Sequence, residues 1–226
     1  MESNKKFKSC KISASLLAAD FSNLHKEIKE IEISKANELH FDVMDGHFVP
    51  NISMGLPILE SVRPLINKPI DIHMMVSNPD NHIKVFNEAG GDIFTFHIEA
   101  SKDPIKTIER IKETKMLAGV SIKPNTSYKE ISGLINIVDR ILVMTVEPGL
   151  GGQKFIPEML RKIKKISEMI NSNGKSIDLA VDGGIKSDTA KSVVNYGVST
   201  LIAGTGIFQN KKGIVGGVEE LISSLY

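Results

Sequence analysis

Four side chains of the kinds that bind transition metals stand in three short apolar runs. His40 and Asp42 belong to the run ELHFDVM, His73 to IDIHMMV, and Asp182 to SIDLAVD. Alternate side chains of a β-strand point to the same face, so His40 and Asp42 share a face. Two imidazoles and two carboxylates suit zinc, iron, manganese or cobalt. Spacing alone leaves a metal site and separate hydrogen-bonded core residues both open, because the packing of the strands has to be assumed.

Three glycine-rich segments follow three successive apolar runs in the last third of the chain. The segments are Gly149-Leu150-Gly151-Gly152, Asp182-Gly183-Gly184 and Gly204-Thr205-Gly206. Glycines leave backbone N–H groups bare, and such groups bind phosphate, helped by the positive end of a following helix. Tight turn geometry is the competing explanation for any single glycine cluster. Three clusters in consecutive loops favour a phosphate site.

Eight short runs rich in β-branched residues must position these side chains. The runs begin at Lys11, Glu38, Ile70, Ile93, Leu117, Arg140, Ser176 and Ser199. Their length and composition are typical of strands buried on both faces. The segments between them, such as residues 21–34 and 156–170, repeat apolar residues at three- and four-residue spacing, as amphipathic helices do. This alternation predicts parallel β/α units.

The count of eight strands favours a closed (β/α)₈ TIM barrel over an open doubly wound sheet. The chain also lacks a G-x-G-x-x-G fingerprint after its first strand, which a dinucleotide-binding sheet usually shows. In a TIM barrel, functional residues gather at the C-terminal ends of the strands. We therefore predict one α/β domain over residues 1–226, with residues 1–9 as a loosely ordered polar tail. The barrel would bring the His and Asp side chains around one mouth.

Composition excludes several classes of function. The 226 residues carry 28 Lys and Arg against 27 Asp and Glu, and 41% are hydrophobic. This balance is typical of a soluble globular protein and gives no basic field for nucleic acid or an anionic membrane. No apolar run approaches the roughly 20 residues of a membrane helix. A single cysteine, Cys10, cannot form an internal disulfide, so we expect a reducing compartment, the cytoplasm.

Seven segments resemble the motifs of the ribulose-phosphate 3-epimerase family. They are SASLLAADFSNL, ELHFDVMDGHFVPN, IDIHMMVSNP, FTFHIEA, MTVEPGLGGQKF, AVDGGI and AGTGIF, and together they span nearly the whole chain. The resemblance implies a TIM barrel with one divalent metal ion, zinc as the first choice and iron, manganese or cobalt also compatible. It implies an isomerase of the pentose phosphate pathway that interconverts D-ribulose 5-phosphate and D-xylulose 5-phosphate, a small-molecule phosphosugar partner.

The resemblance also implies a role for each matching residue. The metal ligands would be His40, Asp42, His73 and Asp182. Asp42 and Asp182 would be the catalytic proton acceptor and donor. The substrate would be contacted by Ser15, His73, Gly149, Leu150, Gly151, Gly152, Asp182, Gly183, Gly184, Gly204 and Thr205. The pocket would be lined by Met44, Met75 and Met144. The family usually has Gly-Ser-Ala at the eighth strand, and this chain has Gly-Thr-Gly there. His97 is interpreted as a core residue or a supporting neighbour of the site.

The proposed chemistry explains why two acidic groups are needed. Epimerisation at C3 removes a proton from one face of a carbon beside a ketone and returns a proton to the other face, through a planar enediolate. An epimerase for a six-carbon ketose phosphate, a metal-free phosphosugar lyase or decarboxylase, and a non-catalytic binding protein are the alternatives. The segment NISMGLP resembles that of the pentose group of these epimerases, the lack of a lysine array at the strand ends disfavours the lyases and decarboxylases, and the presence of both Asp42 and Asp182 disfavours a non-catalytic protein. The oligomeric state, a homo-oligomer included, stays open.

Overall fold

A closed barrel of eight parallel strands forms the centre of the computed structural model, which describes residues 10–226. The strands are β1 Lys11–Ser15, β2 Glu38–Met44, β3 Ile70–Met75, β4 Ile93–His97, β5 Leu117–Ile122, β6 Arg140–Met144, β7 Asp178–Asp182 and β8 Thr200–Ala203. Each strand pairs with the next along the chain, and β8 pairs with β1 to close the sheet. The predicted (β/α)₈ barrel is confirmed, and every strand falls inside its predicted run. The predicted tail, residues 1–9, lies outside the described residues.

Helices surround the barrel. The α-helices are α1 Leu24–Ile33, α2 Leu56–Val62, α3 Ile83–Glu88, α4 Pro104–Glu113, α5 Met159–Asn173, α6 Ser187–Val194, α7 Thr205–Phe208 and α8 Gly213–Ser223. The connection from β5 to β6 contains the 3₁₀ helix Tyr128–Leu134 in place of an α-helix. Ser132 and Gly133 lie in this segment, and both disfavour an α-helical interior. No helix among residues 10–226 is long and apolar enough to cross a membrane.

The two faces of each strand meet different surroundings. In β2 all seven residues are buried, and Leu39, Phe41 and Val43 belong to the large apolar core that the strands share with the helices. The residues between them, such as His40 and Asp42, alternate with these positions and therefore point into the barrel. The interior of the barrel is thus polar along β2, whereas inward residues of β6, β7 and β8 such as Leu142, Ala180 and Ile202 form an apolar cluster.

The N-terminal end of the barrel interior is closed by one buried arginine. Arg140, at the start of β6, is 2% exposed, and each terminal nitrogen of its guanidinium lies 2.8 Å from an oxygen of Glu38. The guanidinium also donates to Asp71 at 2.8 Å and to Asp178 at 2.7 Å. One cation therefore joins carboxylates of three other strands. Removing one member of such a buried network is costly, because it leaves uncompensated charge out of water.

Candidate metal and substrate site

The register of β2 and β3 brings three of the predicted metal ligands side by side. Asp42 pairs with His73 across the two strands, and His40 pairs with Asp71 two residues closer to the N-terminal end of the strands. Oδ1 of Asp42 lies 3.2 Å from Nε2 of His40 and 3.0 Å from Nδ1 of His73. Asp182, at the end of β7, places Oδ2 3.9 Å from the same His40 nitrogen. We call His40, Asp42, His73 and Asp182 the His/Asp cluster.

The His/Asp cluster fits a divalent metal ion. One ligand atom from each of its four residues lies within 4.8 Å of the others. Ligands about 2.0–2.2 Å from one ion are roughly 3–3.5 Å apart, and the three atoms of β2 and β3 already have this spacing. Nδ1 of His40 lies 3.0 Å from Oδ2 of Asp71, a carboxylate that can only accept, so Nδ1 carries a hydrogen and Nε2 is the nitrogen that would bind an ion in the cluster. Nitrogen and oxygen donors without thiolate suit first-row divalent ions.

The two carboxylates of the cluster have opposite electrostatic surroundings. Burial, together with the negative charge of Asp42, raises the pKa of Asp182 to about 6. Burial by itself would also raise the pKa of Asp42. The positive charge of His40 and hydrogen bonds from His40 and His73 outweigh that effect and hold the Asp42 pKa well below its usual range. Paired carboxyl groups whose pKa values are pushed apart are typical of acid/base sites.

A cleft with about 600 Å³ of empty space opens above the cluster at the C-terminal ends of the strands. Most of the predicted site residues line it: Ser15, Asp42, Met44, Met75, Met144, Gly149, Leu150, Gly151, Gly152, Asp182, Gly183, Gly184, Gly204 and Thr205. His40 and His73 are fully buried beneath its floor. The cleft is also lined by residues that the sequence did not single out: Leu17, Ala18, Val146, Pro148, Gln153, Ile185 and Ile202. All of these except Ile202 lie inside the motifs quoted in the sequence analysis, and Ile202 directly precedes one of them, so the motifs were the signal that could have found them.

Ser15 has a partner that the sequence did not predict. Its hydroxyl donates to Oδ2 of Asp42 at 2.8 Å, while the other oxygen of Asp42 faces the two histidines. Ser15 is the last residue of β1, and the pairing of β1 with β2 places it opposite His40 and near Asp42. The hydrogen bond orients the Asp42 carboxylate. The expected contact between Ser15 and the sugar stays a prediction.

The loop after β7 has a backbone that only glycine adopts easily. Gly183 and Gly184 have φ angles of +115° and +67°. A side chain at Gly184 would also collide with the backbone of Phe155 in the loop after β6. The absence of side chains here keeps backbone groups of both loops open to the cleft, as phosphate binding requires.

A third histidine, His97, lies next to His73 outside the cluster. Nε2 of His97, the last residue of β4, is 2.9 Å from Nε2 of His73, and Nδ1 of His97 is 3.2 Å from Oε2 of Glu99. Burial lowers the pKa of His97 to about 4, so this ring is neutral near pH 7. Burial opposes ionisation of Glu99, but hydrogen bonds from His97, Thr126 and Lys123 outweigh it and lower the Glu99 pKa to about 2. Glu99 is therefore a carboxylate.

The fold is shared with other barrel enzymes whose structures have been solved. A crystal structure of KGPDC from Streptococcus mutans matches with a TM-score of 0.71 at 17% identity, covering 96% of this chain and 98% of that chain. This likeness shows the (β/α)₈ architecture alone. The cluster and cleft at the C-terminal ends of the strands lie where enzymes of this architecture have their active sites.

Sequence comparison identifies the family. The model of the ribulose-phosphate 3 epimerase family matches residues 11–208. The ribulose-phosphate 3-epimerase of Bacillus subtilis is 44% identical over 199 residues, covering 88% of this chain and 92% of the relative. That of Methanocaldococcus jannaschii is 46% identical over 198 residues (88% and 84%), and the cytoplasmic isoform of Oryza sativa subsp. japonica is 41% identical over 202 residues (88% and 87%). The chain belongs to the ribulose-phosphate 3-epimerase family and is an epimerase of the pentose phosphate pathway, which confirms the predicted class of enzyme.

Proposed function

We propose that the protein interconverts D-ribulose 5-phosphate and D-xylulose 5-phosphate by proton transfer at C3 between Asp42 and Asp182. The observation that supports this most directly is the convergence of these two carboxyl groups, from the non-adjacent strands β2 and β7, on one cleft. Their opposite pKa shifts suit an ionised Asp42 that accepts the proton and a protonated Asp182 that donates one. In the reverse reaction Asp182 would accept the proton and Asp42 would donate one.

The cluster would hold one divalent cation through His40, Asp42, His73 and Asp182. When bound there, such a cation stabilises the negative charge that develops on the substrate oxygens in the enediolate. The hydroxyl of Ser15 keeps the Asp42 carboxylate oriented. Zinc is our first choice, with iron, manganese and cobalt as the alternatives, because two nitrogen and two oxygen donors accept all four. Elemental analysis of the purified protein decides among them.

The rest of the cleft would hold the sugar phosphate. We assign the phosphate to the backbone of the glycine-rich segments 149–152, 183–184 and 204–205, which follow the neighbouring strands β6, β7 and β8 and line the cleft. Thr205 keeps the hydroxyl that a serine would supply. Met44, Met75 and Met144 line the cleft with apolar, polarisable side chains that offer no proton to the carbanion-like centre. We further propose the cytosol as the compartment, in keeping with a single cysteine and with the rice relative named as a cytoplasmic isoform.

Exchange of the C3 hydrogen with solvent tests the two-base mechanism. We expect Asp42→Asn and Asp182→Asn each to lower epimerisation by about 10²–10⁴, the usual contribution of one positioned acid/base group. Each variant should still exchange the C3 hydrogen of one epimer, a different one for each, because the remaining carboxyl group still reaches one face. If both variants epimerise at wild-type rates, the assignment is wrong. Parallel assays with a six-carbon ketose phosphate separate the pentose substrate from its alternative.

A further inference from the structure

The glycine-rich loop after β6 is closed by the side chain of Gln153. The amide nitrogen of Gln153 donates to the carbonyl oxygen of Glu147 at 2.6 Å and to that of Leu150 at 2.8 Å. An amide NH₂ has two hydrogens, so these two bonds use all of its capacity to donate. Residues 147–153 therefore form a ring of backbone around one side-chain amide.

The two carbonyl groups that accept from Gln153 have different consequences. Glu147 precedes Pro148, whose nitrogen carries no hydrogen, so the peptide group between them has no N–H to direct. The carbonyl of Leu150 belongs to the same peptide group as the N–H of Gly151. In a trans peptide the C=O and the N–H point in opposite directions, and the peptide bonds of residues 10–226 are all trans. The bond from Gln153 to Leu150 thus also fixes the N–H of Gly151, which points away from the amide.

The N–H groups of this loop are available to a ligand. Within the part of the chain that the structure describes, no backbone carbonyl accepts from the N–H groups of residues 149–152. A methyl group added to Gly151 would lie 3.9 Å from the side chain of Leu17, and one added to Gly152 would lie 3.8 Å from that of Thr205. Leu17 and Thr205 both line the cleft. The backbone of Gly151 and Gly152 therefore faces the cleft with donors that the protein itself does not satisfy.

The loop after β6 also meets the other two glycine-rich segments. Gly152 faces Thr205 in the segment after β8, and Gly184 in the segment after β7 lies close against the backbone of Phe155. An anion held between the three segments would be reached by N–H groups from all of them. Carbonyl groups turned the same way would repel it, so the direction of each peptide group in residues 149–152 decides whether the loop attracts an anion.

Resting on the proposed phosphate site, we propose that Gln153 is a positioning residue for the phosphate of the substrate. Its amide draws the carbonyl groups of Glu147 and Leu150 into the loop and thereby turns the N–H of Gly151 toward the phosphate. Gln153 acts through the backbone and does not itself have to touch the substrate. A hydrogen bond to a charged group generally contributes about 10–100-fold in affinity, and this is the loss expected without the amide.

Two substitutions remove the amide in different ways. Gln153→Met keeps the length of the side chain, adds no charge and donates no hydrogen bond. Gln153→Glu keeps the shape, but a carboxylate can only accept and would repel both carbonyl groups. Gln209→Met is the matched control, because Gln209 is the other glutamine of the chain and lies exposed just after α7, beside a separate groove.

Titration of ¹⁵N-labelled protein with inorganic phosphate tests the position of the N–H directly. In the wild type the amide signals of Gly151 and Gly184 should both shift as phosphate is added. The two shifts are compared as a ratio, which does not change with the fraction of protein that has bound phosphate. In Gln153→Met the shift of Gly151 relative to that of Gly184 should fall, and in Gln209→Met the ratio should be that of the wild type.

Steady-state kinetics supplies the second measurement. In Gln153→Met and Gln153→Glu, we expect KM for ribulose 5-phosphate and the inhibition constant of inorganic phosphate to rise together by about 10–100-fold. The value of kcat should stay near that of the wild type, because a loss of binding shared by substrate and transition state raises KM alone. Thermal unfolding shows that the variants compared are folded.

The inference is overturned if both Gln153 variants keep the wild-type KM, or if Gln209→Met loses as much as they do. It is also overturned if the ratio of the Gly151 and Gly184 shifts is the same in Gln153→Met as in the wild type. A different result marks failure of the proposed phosphate site. In that case neither glycine amide of the wild type responds to phosphate, and the inference falls with the site.

Discussion

Arg140 and His40 share one carboxylate. Oδ2 of Asp71 accepts from the guanidinium of Arg140 at 2.8 Å and from Nδ1 of His40 at 3.0 Å. Burial opposes ionisation of Asp71, but the charge of Arg140 and the hydrogen bond from His40 hold its pKa well below the usual range. The buried ion network at the N-terminal end of the barrel is therefore continuous with the His/Asp cluster. The part of the barrel that stabilises the fold and the part proposed to perform the reaction meet at one side chain.

This shared carboxylate makes a prediction for metal binding. In Asp71→Asn the amide oxygen can still accept from His40, but the negative charge that strengthens the imidazole as a ligand is lost. We expect Zn²⁺ affinity to fall about 10–100-fold in a chelator competition. Asp178→Asn removes the same charge from the Arg140 network without touching His40, and it should bind Zn²⁺ as the wild type does. If both variants lose the same Zn²⁺ affinity, the loss comes from the charge of the Arg140 network and not from the hydrogen bond to His40.

The Arg140 network also makes a prediction for stability. Arg140→Met would leave the carboxylates of Glu38, Asp71 and Asp178 buried without their cation. We expect the free energy of unfolding to fall by about 3–5 kcal/mol, measured by urea denaturation. The exposed pair Arg110 and Asp80, 3.6 Å apart, supplies the control. Arg110→Met should cost less than about 1 kcal/mol, because solvent screens an exposed ion pair.

The sequence predicted correctly which strands carry the site, because in a parallel barrel the C-terminal ends of all strands lie around one mouth. Eight apolar runs predict eight strands, and their C-terminal ends must converge, so Asp42 and Asp182 could be placed together although 140 positions separate them. The connection from β5 to β6 was predicted less well, since its 3₁₀ helix depends on local competition between short-range hydrogen bonds.

The residues that hydrogen-bond to the His/Asp cluster from outside could not be predicted from the sequence. Asp71 and Arg140 are 69 positions apart, and each reads as a charged residue near the start of a strand. His97 was equally compatible with a plain core position. What distinguishes these residues is which nitrogen or oxygen faces which neighbour across the barrel. That information comes from strand register and barrel closure, and no spacing along the chain encodes it.

Acid should weaken the buried ion network of Arg140 with Glu38, Asp71 and Asp178 in a defined pH range. Burial would raise the pKa of Asp178, but the charge of Arg140 and hydrogen bonds outweigh it and lower the pKa from 3.8 to about 2. A carboxyl group that is more acidic in the folded state stabilises that state above the unfolded pKa. The contribution of Asp178 to the free energy of unfolding therefore falls as the pH drops from about 4 toward 2, by about 2 kcal/mol in all. Urea titrations from pH 5 downward should show Asp178→Asn less stable than the wild type at pH 5. The difference should narrow below pH 4, and a constant difference across this range would contradict the prediction.

Two glycines with nearly the same φ angle allow the effect of backbone strain to be separated from an effect on substrate binding. Gly184, in the cleft, and Gly174, at the end of α5, have φ angles of +67° and +69°. An alanine at either position is strained in this conformation, at a cost of about 1 kcal/mol in unfolding free energy. At Gly184 the added methyl group also meets the Phe155 backbone, whereas at Gly174 it meets open space. We expect Gly184→Ala to raise KM for the sugar phosphate at least tenfold, because the loops after β6 and β7 must move apart. Gly174→Ala should leave KM unchanged while losing a comparable part of its stability to backbone strain. Steady-state kinetics gives KM for both variants, and urea denaturation gives their unfolding free energies. An unchanged KM in Gly184→Ala would show that this loop does not bind the phosphate.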